Sequence, residues 1–301
     1  MISTPKNANE FIEKQLDQCV EALEKGFKAD VLGFIGGIVF GVDDNIRNVV
    51  EEMRQRPDSC NKLVVILTTG GGYIEVVQRI AEMFRHHYDC VDFIVPNYAF
   101  SAGTVLVMSG DAIYMNYYSR LGPIDPQVEG ANNKVVPALG YLVQWERLLK
   151  KAKQGNLTTV EAQLMIDGFD QAELYQYEQA RELSIALLKD WLVKYKFKDW
   201  HVTETRKITV THAMRVKRAQ NIARELNKTE KWHSHGHGIS MEVLRRDLKL
   251  KIEDFDGKPN IGKKIKGYHN LLEDYMVKRG NEGVVHTKGI YLPLVWRYGN
   301  A

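Results

Sequence analysis

Only three cysteines occur in the 301 residues, Cys19, Cys60 and Cys90, widely separated and without a C-x-x-C pair. That spacing excludes a disulfide framework and a cysteine-built zinc site, and reads as buried thiols. Net charge is scarce as well, +3 from 41 basic and 38 acidic side chains. So small a balance gives no electrostatic case for nucleic acid. The locally basic stretch RVKRAQNIARELNK (215–228) mixes acids and amides at helical spacing, as a solvated helix face does. No apolar run is long enough to cross a bilayer, and the first twenty residues lack the charged-then-apolar order of a signal peptide. A cytoplasmic protein without a membrane span is therefore expected. Neither a G-x-G-x-x-G fingerprint nor a P-loop occurs, and there is no internal repeat or low-complexity tract.

What is present is a globular composition, 44% hydrophobic and 26% charged, enough for one large domain with or without an appendage. Phe11, Leu16, Val20 and Leu23 mark a leading helix over 9–26. DVLGFIGGIVF (30–40) predicts a first strand, and DDNIRNVVEEMRQR (43–56) an amphipathic helix capped by its aspartates. KLVVILTT (62–69) is a β-branched apolar run suited to a strand buried on both faces. A helix over 73–87 and a strand VDFIVP (91–96) follow. This alternation of strand and helix predicts a parallel sheet with crossover helices. Residues 137–230 turn almost wholly helical, with a break at 155–159, and 231–301 carries a short helix MEVLRRDLKL and a strand-like GIYLPLVW.

Two turns stand out. ILTTGGGYIE sets three glycines between a buried strand and a helix, where the backbone approaches a ligand closely and directs N–H groups at it. YAFSAGTVLVMSGD (98–111) sets Ser101 at a turn entering a short buried helix that is expected to stop at Gly110. Such a serine is either a nucleophile near the positive end of a helix or a capping and packing residue. Neighbouring parallel strands bring both turns to one crevice. There the amides of the glycine turn and of Ala102 have the arrangement of an oxyanion hole beside the Ser101 hydroxyl.

The segments TTGGGYIEVVQRIAEMF and VPNYAFSAGTVLVMSGDAIYMNYYSRLGPIDPQ resemble the Clp-fold serine peptidases, among them the signal peptide peptidase A group and the Clp proteolytic subunit. The likeness is greatest to the serine dehydrogenase proteinase family, with its TPGG-like turn, its A-x-SAGT turn and its LGPxDPQ motif. It is strong over about 60–130 and looser over 30–250, where WHSHGHGISMEVLRRDLKL is similar to a Trp-His segment of that family. The resemblance implies an α/β, ClpP/crotonase-like ββα superhelix with a helical insertion or appendage. It implies Ser101 as nucleophile, with Gly70, Gly71 and the Ala102 amide as oxyanion donors.

The chain also departs from the pattern. Thr69 replaces the proline of TPGG, and no histidine lies between His87 and His201, where the Clp proteolytic subunit carries its base. Signal peptide peptidase A relatives use a lysine instead, and Lys134 is the best placed, ahead of Lys150, Lys151 and Lys153. Asp125 either orients a base or ends a turn between Pro123 and Pro126. His233, His235 and His237 alternate in a glycine-containing loop that suits a histidine base, His235, better than a metal. Neither metal nor cofactor is expected. The expected organisation is a Clp-like α/β core over 1–136, a helical region over 137–230 that completes or covers it, and a C-terminal segment over 231–301. Three functions fit: a serine peptidase (endopeptidase), a crotonase-like acyl-thioester enzyme, and a non-catalytic scaffold. The partners expected are a polypeptide substrate, further copies of the chain, and an unidentified unfoldase or regulator. Assembly into a homo-oligomer is expected from the apolar residues Trp145, Leu148, Leu149, Leu183, Leu187, Leu188 and Trp191 of the middle helices.

Overall fold

The computed structural model describes residues 5–124, 127–130, 134–228, 232 and 238–295, with the backbone alone at 127–130 and 134–139. Helix α1 (Ala8–Phe27) leads into strand β1 (Asp30–Ile35), followed by α2 (Val42–Gln55), β2 (Lys62–Thr68), α3 (Ile74–His87) and β3 (Cys90–Ile94). The strand β1 ends five residues before the stretch 30–40 does, because Ile38 leaves the sheet to pair with Gly72. The aspartates of α2 lie inside its first turn rather than at its cap: Gly41 is the cap residue, and its N–H donates to Asp43 Oδ1.

Alternation along the strands decides which layer each side chain enters. Leu63, Val65 and Leu67 of β2 join the core beneath α2 and α3, whereas Val64 and Ile66 join the opposite one, lined by α1. A strand so buried on both faces has to be apolar throughout, as β2 is. After β3 come β4 (Tyr98–Ala99), α4 (Ala102–Met108), β5 (Ala112–Met115), β6 (Arg120–Leu121) and the hairpin β7 (Gln127–Gly130) and β8 (Lys134–Pro137). Ser109, not Gly110, caps α4, and Gly110 is needed because a Cβ there would come within 2.7 Å of the Phe93 ring.

The helical region comprises α5 (Ala138–Lys153), α6 (Thr159–Asp167), α7 (Gln171–Trp191) with a π-helical extension over Leu192–Lys196, and α8 (His212–Leu226). The break at 155–159 ends in a capping box, Thr158 with Glu161, that starts α6. Ala180, Leu188 and Trp191 of α7 enter the main core, and Leu183 and Leu187 pack against it. Trp145 packs on a small cluster of Leu142, Leu174 and Tyr177. These residues are therefore largely satisfied within one chain. Among the described residues of these helices, the large apolar side chains left exposed are instead Tyr141 of α5, Val160, Leu164 and Ile166 of α6 and Tyr175 of α7.

The C-terminal part holds β9 (Ile239–Ser240), α9 (Met241–Arg246), β10 (Glu253–Asp254), α10 (Pro259–Lys278), β11 (Gly283–Thr287) and β12 (Ile290–Leu294). It completes the main sheet, whose order is β10-β5-β3-β2-β1-β11-β12. The pairs from β10 to β1 are parallel; β11 runs antiparallel to β1 and forms a hairpin with β12. A three-stranded sheet, β4-β6-β9, stands beyond the ends of the main strands. Neither α10 nor β11 is evident from the sequence pattern described above. Among the described residues, no helix is long and apolar enough to cross a membrane.

Helix α10 places Tyr268 on β11, where its hydroxyl and His286 Nδ1 lie 2.9 Å apart. His286 is fully buried, and burial drives its imidazole from the ordinary 6.5 down to about 3. A histidine held neutral in this way gives stability that is complete above its unfolded pKa and is lost as pH falls towards the folded one. The Asp17 carboxylate, 3.8 Å from Nε2, offsets part of the cost of charging it. Urea unfolding of the parent at pH 7 and pH 4 should show a loss up to about 3 kcal/mol larger than in His286→Asn. Equal pH dependence in the two proteins would contradict this account.

Candidate active site

The glycine turn follows β2 and the serine turn follows β4, and backbone bonds tie one to the other. The Thr69 N–H donates to Tyr98 O at 3.1 Å, and the Phe100 N–H donates to Thr69 O at 3.0 Å. This is a parallel bridge between Thr69 and Ala99, one step past the main sheet. The other flank of the glycine turn is fixed by Ile38, whose N–H donates to Gly71 O and whose carbonyl accepts from the Tyr73 N–H, each at 2.9 Å.

Ser101 has φ 53° and ψ −125°, a region that side-chain-bearing residues rarely adopt and that costs on the order of 1–3 kcal/mol. It is fully buried at the N-cap of α4 and makes no side-chain capping bond. A capping serine has extended backbone and accepts from the first-turn amides. Here the Gly103 N–H donates to Phe100 O at 2.8 Å and the Thr104 N–H to Ser101 O at 2.9 Å, so the backbone closes the helix end. Of the first-turn amides, that of Ala102 meets no acceptor among the described residues.

Gly71 lies against this serine. With φ +102°, a Cβ on Gly71 would be 2.7 Å from Phe100 O, 2.8 Å from Ser101 Cβ and 3.3 Å from Ser101 Oγ. Its own N–H donates to Thr69 Oγ1 at 3.0 Å. Gly70 is different: nothing lies within 4 Å of the Cβ it lacks, and it faces solvent. The structure thus brings Gly71, Ser101 and Ala102 together, with Gly70 at the rim.

The segment after β6 packs beside the serine turn. The Thr104 hydroxyl lies 2.8 Å from Ala99 O and 3.0 Å from Gly122 O, and the Gly122 N–H donates to Ala99 O at 3.2 Å. Ile124 is anchored to the end of α8 through the Leu226 carbonyl and the Asn227 amide. From there the chain passes to the β7–β8 hairpin, where Lys134 opens β8 and pairs with Gly130. The side chain of Lys134, and Asp125 and His235 altogether, lie outside the described residues, as do His233 and His237.

A buried histidine that the sequence reading passed over, His269 on α10, bonds the Thr68 hydroxyl at 2.9 Å. Strand alternation turns Thr68 to the α1 and α10 side, away from α4, so His269 secures the end of β2. Its helical register with Ile265, Tyr268 and Leu272 was the available signal. The cysteines are half-buried and unbridged rather than fully buried, and burial raises the Cys90 thiol to about 11. Cys90, Asp92 and Asp111 cluster at the opposite, N-terminal ends of the strands. Their carboxylates already hold cations, Lys62 on Asp92 and Arg85 and Lys198 on Asp111.

The family profile described as ClpP-like SDH-type serine proteinase matches residues 12–228. Two curated proteins of Methanocaldococcus jannaschii, both called uncharacterized, also align. One is 38% identical over 64 residues, 21% of this chain and 22% of its own length. The other is 24% identical over 158 residues, 52% of this chain and 51% of its own. The matched part therefore spans about half or less of these relatives. Among solved structures, the 1510-N membrane-bound stomatin-specific protease, as a lysine-to-alanine mutant with a substrate peptide, is similar with 15% identity and a TM-score of 0.42, covering 73% of this chain and 72% of that one. The ClpP protease catalytic domain from Plasmodium falciparum has 11% identity and a TM-score of 0.31, over 40% and 63% of the two chains.

The packing around the glycine turn makes a graded expectation. Gly72, at φ +150°, would put a Cβ 2.0 Å from Ile38 O. Gly72→Ala should lose roughly 1–3 kcal/mol of stability in urea titration, whereas Gly70→Ala should stay within about 0.5 kcal/mol of the parent. Equal losses at both positions would show that the turn is not held as described.

Proposed function

The chain belongs to the ClpP-like SDH-type serine proteinases, and from that membership we propose that it hydrolyses peptide bonds with Ser101 as nucleophile. The observation that carries the proposal is the Ser101 backbone, strained at φ 53°, spared from capping and pressed against Gly71. Strain of this kind persists where the surrounding structure enforces it and gathers at functional sites.

In the proposed reaction the Ser101 hydroxyl attacks the carbonyl carbon of the scissile bond while a base takes its proton. The oxyanion of the tetrahedral intermediate is held by backbone amides, the Ala102 N–H being the donor with the best claim and the glycine turn the second source. The base returns the proton to the leaving amine, and water then releases the acyl group. Lys134 is the proposed base, since it opens the strand reached directly from the segment packed on the serine turn. To act near neutrality it has to be uncharged, which requires burial by the assembled site. A polypeptide substrate and a closed homo-oligomer belong to the same proposal; the exposed apolar residues of α6 supply a surface for contact between copies.

Ser101→Ala should cut casein hydrolysis by at least about a thousandfold with an unchanged melting curve. Undiminished turnover in that variant removes the nucleophile assignment. Lys134→Ala should cost as much as Ser101→Ala, and the double variant no more, because a nucleophile and its base act as a unit. The parent's rate should climb with pH through the lysine pKa; a rate that falls steadily from pH 6 to 9 on a folded protein rules the lysine out. Light scattering at micromolar concentration should give a multiple of the 34.5 kDa chain mass, and a monomer would contradict the assembly.

A further inference from the structure

Thr69 stands where the TPGG pattern has proline, and a proline would keep the carbonyl that accepts from Phe100 but supply neither of two other bonds of this residue. Its N–H donates to Tyr98 O at 3.1 Å, and its hydroxyl oxygen accepts from the Gly71 N–H at 3.0 Å. The residue is 1% exposed, so water has little access to either bond. Its rotamer is fixed by Gly103: a Cβ there would fall 2.4 Å from Thr69 Cγ2, which means that the threonine methyl fills the space a side chain would need. A β-branched side chain is stiff about χ1, and with the methyl seated on Gly103 the hydroxyl stays on Gly71.

The consequence concerns charge. An amide serves as an oxyanion donor only when its N–H is available to the oxygen that becomes negative. In this structure the Gly71 N–H is committed to Thr69, whereas that of Ala102 is not. We propose that Thr69 is a positioning residue that withholds the Gly71 amide in the free protein, and that acyl transfer proceeds when the substrate oxygen takes this N–H over from the threonine hydroxyl. A neutral carbonyl oxygen competes with a neutral hydroxyl on nearly equal terms, but an oxyanion accepts a charge-assisted bond about twice as strong. The transfer therefore favours the transition state over the bound substrate. No bond other than hydrogen bonds changes in this exchange, and the Thr69 proton stays on its oxygen. The inference rests on Ser101 being the nucleophile.

The test follows the labelling rate of Ser101 by a fluorophosphonate, with the adduct located by mass spectrometry, in the parent, Thr69→Val and Thr69→Ser. Amide exchange at Gly71 is followed by NMR in the same proteins. Valine keeps the methyl contact and removes the acceptor, so labelling should rise roughly two- to tenfold, the range that the loss of one neutral hydrogen bond spans. Gly71 should exchange slowly in the parent and faster in Thr69→Val, with Thr69→Ser between the two and nearer the parent. Thr69→Ala takes the place of the valine variant if that protein does not fold. Rapid Gly71 exchange in the parent, or equal or slower labelling of a folded Thr69→Val, overturns the proposal while leaving Ser101 as nucleophile. No labelling of Ser101 in any of the proteins, with Gly71 still protected, overturns the nucleophile and the proposal with it.

Discussion

The bridge between Thr69 and Ala99 is the constraint on which the candidate site depends. Two backbone hydrogen bonds join the end of β2 to β4, two residues out of the register that β2 keeps with β3 (Ile66 with Ile94, but Thr69 with Ala99), and they bring two otherwise independent turns into contact. Ile38 on one side and Gly122 on the other extend the same bonding, so the serine turn and the glycine turn are members of one small framework. Within it, side chains are excluded where backbones meet. Gly71 and Gly72 are glycines because Phe100 and Ile38 occupy the places of their Cβ atoms. The unusual backbone of Ser101 is held by this framework and by the α4 amides that turn back on Phe100 and Ser101 itself.

Much of this was legible in the sequence wherever a single periodicity decided the matter. The run LVVIL could only be a strand buried on both faces, and the residues of α3 and α7 fall at helical spacing without interruption. Ser101 at a strand-to-helix turn, and the glycines after the neighbouring strand, were visible for the same reason. Misreadings arose where an apolar run continued beyond its element. After Asp30 the stretch to residue 40 carries no polar side chain, but Ile38 is drawn off by Gly72, a partner more than thirty residues away that no local pattern reveals. Helix α10 was obscured by Gly262, Gly267 and a scatter of lysines that dilute its apolar stripe, although Pro259 marks its first turn. The commitment of the Gly71 amide to Thr69 depends on rotamer and distance, which a sequence does not contain.

The division of labour between the two faces of the sheet is also informative. The α2, α3, α4 and α7 face carries the serine and its helix, while the α1 and α10 face carries buried polar pairs, Tyr268 with His286 and His269 with Thr68. These pairs cannot be exchanged for water once buried, so they fix α10 in one register on the strands. Through Thr68 that register reaches the residue next to the bridge. The far layer thus supports the geometry at the strand ends without facing the serine.

The placement of β11 has a consequence for synthesis. β1, at residues 30–35, lies between β2 and β11, which arrives some 250 residues later, and α1 packs with α10 across a similar separation. Closing such distant partners is slow and delays the reward for ordering the chain. While the polypeptide emerges from the ribosome, one edge of β1 and one face of α1 stay open until β11 and α10 have followed. The nascent protein carries an uncovered apolar layer during that interval, and such a surface is prone to aggregate. The same arrangement ties completion of the layer behind the bridge to segments that are made long after the bridge itself.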